Sequence, residues 1–264
     1  MQDIEEWIYI SKISEAFSNK KAFVGFLTAG DPSLDKTEEF ILAMQDAGAS
    51  VIEIGVPFSD PIAETPVVQE ANVRALSAEG GCTTDMIFNM LASVKDKVTV
   101  PIVLMTYLNP VFKYGYEAFM KKCDETGVAG IIIPDMPYDE REEILPMAEK
   151  YGVDIISLVA PASKSRIRMI AGDAKGYIYV LPSLDAADGR KDVLTDISDI
   201  VAQIRKVTDV PVVLEIGVDY PEAEYETIAD GFVVENAIVN LIAKHGSDAA
   251  PPIYDYVKKT VESL

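Results

Sequence analysis

The chain has 264 residues, 49% of them hydrophobic, enough to bury a full core, and its 43 acidic against 23 basic residues leave a net charge of −20. That balance disfavours nucleic acid and anionic membrane surfaces as partners. A single histidine, His245, excludes His-based triads and multi-histidine metal sites, and two cysteines, Cys82 and Cys123, are too few for a disulfide framework.

The N-terminal stretch Met1–Trp7 is acidic and carries no apolar run of signal-peptide length. No window approaches the ~20 apolar residues of a membrane span. A soluble protein of the reducing cytoplasm is the expectation.

In chain order, short β-branched runs predict strands at Ala22–Thr28, Ser50–Gly55, Pro101–Thr106, Gly130–Pro134, Asp154–Leu158, Gly176–Leu181, Pro211–Ile216 and Gly231–Val234. Between them lie stretches such as Thr37–Ala47, Thr84–Val94, Glu140–Tyr151 and Thr195–Val207, where apolar residues recur three and four apart. Apolar strands alternating with amphipathic helices imply parallel βαβ units with both sheet faces covered. Eight such units without a long linker fit a closed (β/α)8 TIM barrel, which commonly needs about 250 residues. The rival is a doubly wound open sheet, but no G-x-G-x-x-G follows the first strand. The chain is therefore expected to be one α/β domain over 1–264, with 1–18 as a helical segment packing on the barrel. His245 is expected to end a helix.

One segment concentrates the chemistry. Val51-Ile-Glu-Ile-Gly55 is an apolar strand with Glu53 in its middle, followed by a loop from Val56 to about Thr65 that holds Glu64 between Pro61 and Pro66. The loop exceeds the usual connection of roughly 2–6 residues. An acid within an apolar strand is costly unless paired, protonated or working. Alternation sends Glu53 opposite to Ile52 and Ile54, either into the barrel or outward against a helix. A buried salt bridge to lysine or arginine is the structural alternative. Without a cation, burial would raise its pKa and let it donate a proton near neutral pH. Glu64 is the natural second member of an acid/base pair.

At this point the chain resembles the α subunit of tryptophan synthase. The resemblance is carried by Phe26-Leu-Thr-Ala-Gly-Asp-Pro32, Glu53-Ile-Gly-Val-Pro-Phe-Ser-Asp-Pro-Ile-Ala-Glu64, Met105-Thr-Tyr-Leu-Asn-Pro110 and Ile133-Pro-Asp-Met-Pro137, in order along nearly the whole chain. It implies a (β/α)8 barrel that cleaves indole-3-glycerol phosphate to indole and glyceraldehyde 3-phosphate, a carbon–carbon lyase step of tryptophan biosynthesis. It implies no cofactor in this subunit, and a PLP-dependent β subunit as partner, with Pro57–Pro61 at their interface. By the same resemblance, Glu53 shuttles a proton to indole C3. Glu64, where the family usually has Asp, holds the indole N–H as positive charge develops. Phe26 and Tyr107 line the indole pocket, and Tyr179 lies beside the reacting glycerol portion. Phe26 reads equally well as a plain core aromatic.

The departures from the family pattern cluster at the phosphate end. Leu184–Arg190 replaces a Gly-Val-Thr-Gly loop, Glu215-Ile216-Gly217 replaces Gly-Phe-Gly, Glu235-Asn236 replaces Gly-Ser, and Thr65 stands for a glycine beside Glu64. Gly217 and Asn236 are the remaining candidates for holding the phosphate, in the loops where barrels of this kind bind it. One carboxylate ~5 Å from a dianion costs on the order of several kcal/mol at an effective dielectric near 20. Asp188, Glu215 and Glu235 are thus expected to oppose tight phosphate binding. The alternative to a lyase is a divergent or engineered barrel that has lost its phosphate grip. Such a barrel would act on another substrate or regulate a β subunit without catalysis.

Overall fold

The computed structural model describes residues 11–18, 21–181, 193–215 and 227–264. Among them, nine parallel strands form one sheet: β1 (Ala22–Thr28), β2 (Val51–Gly55), β3 (Ile102–Met105), β4 (Val128–Ile132), β5 (Asp154–Ile155), β6 (Ser157–Val159), β7 (Ile178–Val180), β8 (Val212–Glu215) and β9 (Gly231–Val234). Their spatial order is β5-β4-β3-β2-β1-β9-β8-β7-β6, every pair parallel.

β5 and β6 are the two halves of the single fifth strand predicted from sequence. Asp154 and Ile155 pair with β4, whereas Ser157–Val159 pair with β7. The switch falls at Ile156, whose N–H still donates to Ile131 O at 2.9 Å. A tilted, staggered barrel strand meets its two neighbours at different heights, so this offset closes the ring. The result is the eight-unit barrel expected from the sequence.

Local chemistry sets the element ends. Helix α1 (Leu34–Asp46) is capped by Ser33, whose Oγ accepts the Lys36 N–H, and α3 (Thr84–Val94) by Thr83 in the same way. The pair α4 (Leu108–Tyr114) and α5 (Tyr116–Thr126) is divided by Gly115. α5 ends on Gly127 with φ 81°, a left-handed cap that glycine adopts without strain. The chain therefore enters β4 at Val128, two residues before the predicted start. The helix predicted over Glu140–Tyr151 is instead a 3-10 run, Tyr138–Glu143, followed by α6 (Leu145–Tyr151). Pro146 has no N–H to donate and is tolerated only in a first helical turn. Completing the outer layer are α2 (Pro66–Ser77), α7 (Ile167–Gly172), α8 (Val193–Ile204), α9 (Asn236–His245) and α10 (Ala250–Ser263). His245 ends α9, as expected from the sequence.

Side-chain alternation divides the core in two. Val24, Phe26, Val51, Val103, Tyr177, Tyr179, Val213 and Val233 fill the barrel interior. Leu27, Ile52, Ile54, Leu104, Phe40 and Phe119 pack between sheet and helices. At the base, Ile13 is fully buried and Phe17 packs 5.8 Å from Tyr177, centroid to centroid. The expected N-terminal segment is thus described only from residue 11 onward, as a chain that plugs the barrel floor through a 3-10 turn, Ser14–Phe17. On one side, α2 and α9 pack against each other, and Val68, Ala71 and Val239 join the interior cluster. This places the N-termini of both helices at the mouth where the loops after the strands converge.

Candidate active site

Glu53 shares the parity of Val51 and lies inside the barrel, between Phe26 on β1 and Val103 on β3. It is fully buried, and no lysine or arginine among the described residues pairs with it. Tyr177 O–H donates to Glu53 Oε1 at 2.5 Å, while Oε2 has no hydrogen-bond partner among the described residues. Burial pushes the pKa up from 4.5 to about 7, against the Tyr177 hydrogen bond that lowers it, with the charge of Glu215 adding to the rise. When Glu53 is protonated, the tyrosine occupies Oε1 and leaves the proton on Oε2. A carboxyl that gains and loses a proton near neutral pH suits acid/base work.

The loop after β2 brings Glu64 back over the mouth. Its Oε2 accepts from Asn72 Nδ2 at 2.5 Å, and its backbone oxygen from Gln69 Nε2 at 2.9 Å. Partial burial raises the Glu64 pKa, while Asn72 and Tyr107 lower it. The Tyr107 hydroxyl accepts the N–H groups of Ile62 and Ala63 at 3.1 and 3.2 Å, and its ring stacks on Phe58 with centroids 4.9 Å apart. Tyr107 therefore anchors the acid-bearing loop.

Phe26 is buried in the interior, and its ring lies over the end of β2. A Cβ built on Gly55 would sit 2.7 Å from Phe26 Cζ. Gly55→Ala is therefore expected to cost roughly 1–3 kcal/mol of stability through overpacking, which urea denaturation would measure. Tyr179 is buried two residues above Tyr177 on the same interior face. Its hydroxyl is pushed well above its ordinary pKa, first by burial and then by the nearby charges of Glu215, Glu235 and Glu53.

At the remaining rim, Glu215 ends β8 and Glu235 follows β9. Glu235 is buried, and its pKa is raised well above the ordinary carboxylate range by desolvation first and then by Glu215, Glu53 and Glu64. Burial also raises Glu215. Asn236 is the first residue of α9, half-buried, and its Oδ1 accepts from the Thr65 hydroxyl at 2.6 Å.

The structure thus brings Glu53, Glu64, Phe26, Tyr107, Tyr179 and Asn236 to one end of the barrel. Gly217, Asp188 and the segment Leu184–Arg190 lie outside the described residues. Tyr177 and Asn72 were not singled out from the sequence. Tyr177 is legible through its even spacing from Tyr179, which gives both one strand face. Asn72 lies eight residues beyond Glu64, two helical turns along α2, but nothing local marks it as a partner.

The family model described as tryptophan synthase alpha chain matches residues 13–261. The chain belongs to the tryptophan synthase alpha chain family. A tryptophan synthase alpha chain from Lacticaseibacillus casei is 42% identical over 252 residues, 95% of this chain and 94% of that protein. Among solved structures, the tryptophan synthase alpha chain of Legionella pneumophila superposes with a TM-score of 0.82 at 29% identity, covering 97% of this chain and 98% of its own. A chain of the tryptophan synthase complex from Pyrococcus furiosus gives 0.81 at 29% identity, over 91% of this chain and 98% of its own.

Proposed function

We propose that this barrel cleaves indole-3-glycerol phosphate to indole and glyceraldehyde 3-phosphate, as the alpha chain of a tryptophan synthase. The observation that carries the reading is the pair of carboxylates in different environments. Glu53 is buried with a pKa near neutrality, whereas Glu64 is half-exposed and held by Asn72. In a retro-aldol cleavage, indole C3 gains a proton and the neighbouring glycerol hydroxyl loses one as the carbon–carbon bond breaks. The atoms balance with no water and no cofactor. Glu53 supplies the proton from Oε2 and, once ionised, accepts the hydroxyl proton, with Tyr177 steadying the carboxylate form. Glu64 accepts the indole N–H, and its negative charge offsets the positive charge that develops on the ring.

Phe26 gives the indole a flat apolar wall, Tyr107 fixes the loop above it, and Tyr179 closes the side toward the glycerol chain. At the far end, Asn236 and the first N–H groups of α9 face the phosphate, and the family resemblance keeps Gly217, the small residue that follows Ile216 in the sequence, as a candidate for the same role. Two apolar side chains, Ile62 on the loop held by Tyr107 and Phe112 on α4, are 75% and 66% exposed. They suit docking of the PLP-dependent β subunit that receives the indole. A cytoplasmic location fits the free, buried thiols of Cys82 and Cys123. It fits also that no helix among the described residues is long and apolar enough to cross a membrane.

The test is indole release from indole-3-glycerol phosphate by the purified chain, alone and with a tryptophan synthase β subunit. The expected result is indole and glyceraldehyde 3-phosphate in equal amounts. No indole under either condition, with β-subunit turnover nonetheless altered, would make this a non-catalytic regulator.

A further inference from the structure

We propose that Thr65 is a positioning residue that fixes the amide of Asn236 and so ties the loop carrying Glu64 to the first turn of α9. The inference deepens the lyase reading and rests on it. Thr65 and Asn236 stand 171 residues apart in sequence, yet the Thr65 hydroxyl donates to Asn236 Oδ1 at 2.6 Å. Thr65 occupies the N-cap of α2, where a threonine ordinarily turns its oxygen onto the helix's own N–H groups, but its side chain makes no such bond. The hydroxyl is directed across the mouth instead. On the other side, the N-cap of α9 is Glu235, which also makes no side-chain cap, so among the described residues no side chain caps the first N–H groups of α9.

Two consequences follow from the bond. With Oδ1 taken by the Thr65 hydroxyl, the observed orientation of the Asn236 amide leaves Nδ2 as a donor at the first turn of α9. That arrangement suits a phosphate oxygen. Thr65 also adjoins Glu64, whose carboxylate is held to α2 by Asn72, and α2 packs directly on α9. The acid that meets the indole and the donor that meets the phosphate therefore sit on one connected frame. A substrate gripped at both ends then has its reacting carbon held at a set height in the barrel.

The test uses the full chain with Thr65→Val, which removes the hydroxyl at nearly constant volume. KM for indole-3-glycerol phosphate is expected to rise roughly 3- to 10-fold, the range of a single net hydrogen bond, with kcat changed less. The Kd of glycerol 3-phosphate should weaken by a similar factor and that of indole should not move. Thr65→Ser should restore both constants. Asn236→Ala should lose at least as much as Thr65→Val, and the double variant should lose no more than Asn236→Ala alone. An unchanged KM, a serine variant no better than valine, additive losses in the double variant, or a parallel loss of indole binding would each overturn the proposal. If the wild-type chain releases no indole, the lyase reading fails, while glycerol 3-phosphate binding still decides the role of Thr65.

Discussion

Glu53→Gln is expected to lower kcat for indole release by on the order of a thousandfold, the scale of a lost general acid/base group, and at the same time to stabilise the fold above neutral pH. The activity follows from Oε2, which no longer exchanges a proton. The stability follows from linkage. A carboxyl whose pKa is higher folded than unfolded binds more protons in the native state, so the native state loses stability as pH rises from the unfolded pKa through the folded one. For Glu53 that window runs from 4.5 to about 7. Across it, a shift of that size corresponds to roughly 3 kcal/mol. Glutamine keeps the shape and still accepts from Tyr177, so part of this returns as added stability at pH 8. Urea unfolding of both proteins at pH 5 and pH 8 measures the effect. A gain at pH 8 that shrinks at pH 5 is expected, and equal stabilities at both would contradict the buried-acid assignment.

Glu235→Gln is the second variant with a large expected effect, and here burial alters what the sequence suggests. Read as charges, Glu215 and Glu235 oppose a phosphate dianion. In the folded barrel Glu235 is buried beside Glu215, Glu53 and Glu64, and holds its proton well above the usual carboxylate range. A neutral carboxyl costs a dianion little and offers it a donor. The repulsion returns when the group ionises, and Glu215 and Glu235 titrate as a linked pair, because the charge of one raises the pKa of the other. KM for indole-3-glycerol phosphate should therefore climb with pH in the wild type. In Glu235→Gln it should stay flatter, and at the alkaline end lie lower by on the order of tenfold, a fraction of the several kcal/mol that a close like charge can cost. A glutamine variant whose KM tracks the wild type at every pH would show that Glu235 does not sense the substrate's charge.

How much of this was legible beforehand depended on the range of each interaction. β1 and β9 match their predicted limits because a β-branched run bounded by turn residues is a local signal. Glu140–Tyr151 reads as one amphipathic helix, but Pro146 interrupts it. The fifth strand reads as one run, and its division at Ile156 appears only when both neighbours are in place. Alternation narrowed Glu53 to two faces without choosing between them. The choice needed the closed barrel, which puts Val51, Glu53 and Gly55 inside. Tyr177 against Glu53 spans 124 residues and Thr65 against Asn236 spans 171, distances over which one sequence carries no pairing signal. The raised pKa of Glu235 is likewise a product of packing. The motif names the acids, and the fold sets which of them holds a proton.

The most direct test of the catalytic assignment is the pH dependence of kcat/KM for indole release in the wild type and in Glu53→Gln. The wild type should titrate with an apparent pKa close to 7, and the variant should lose that transition together with most of its activity. A wild-type profile flat between pH 5 and 8, or a variant that keeps the same transition, would show that Glu53 is not the group exchanging the proton.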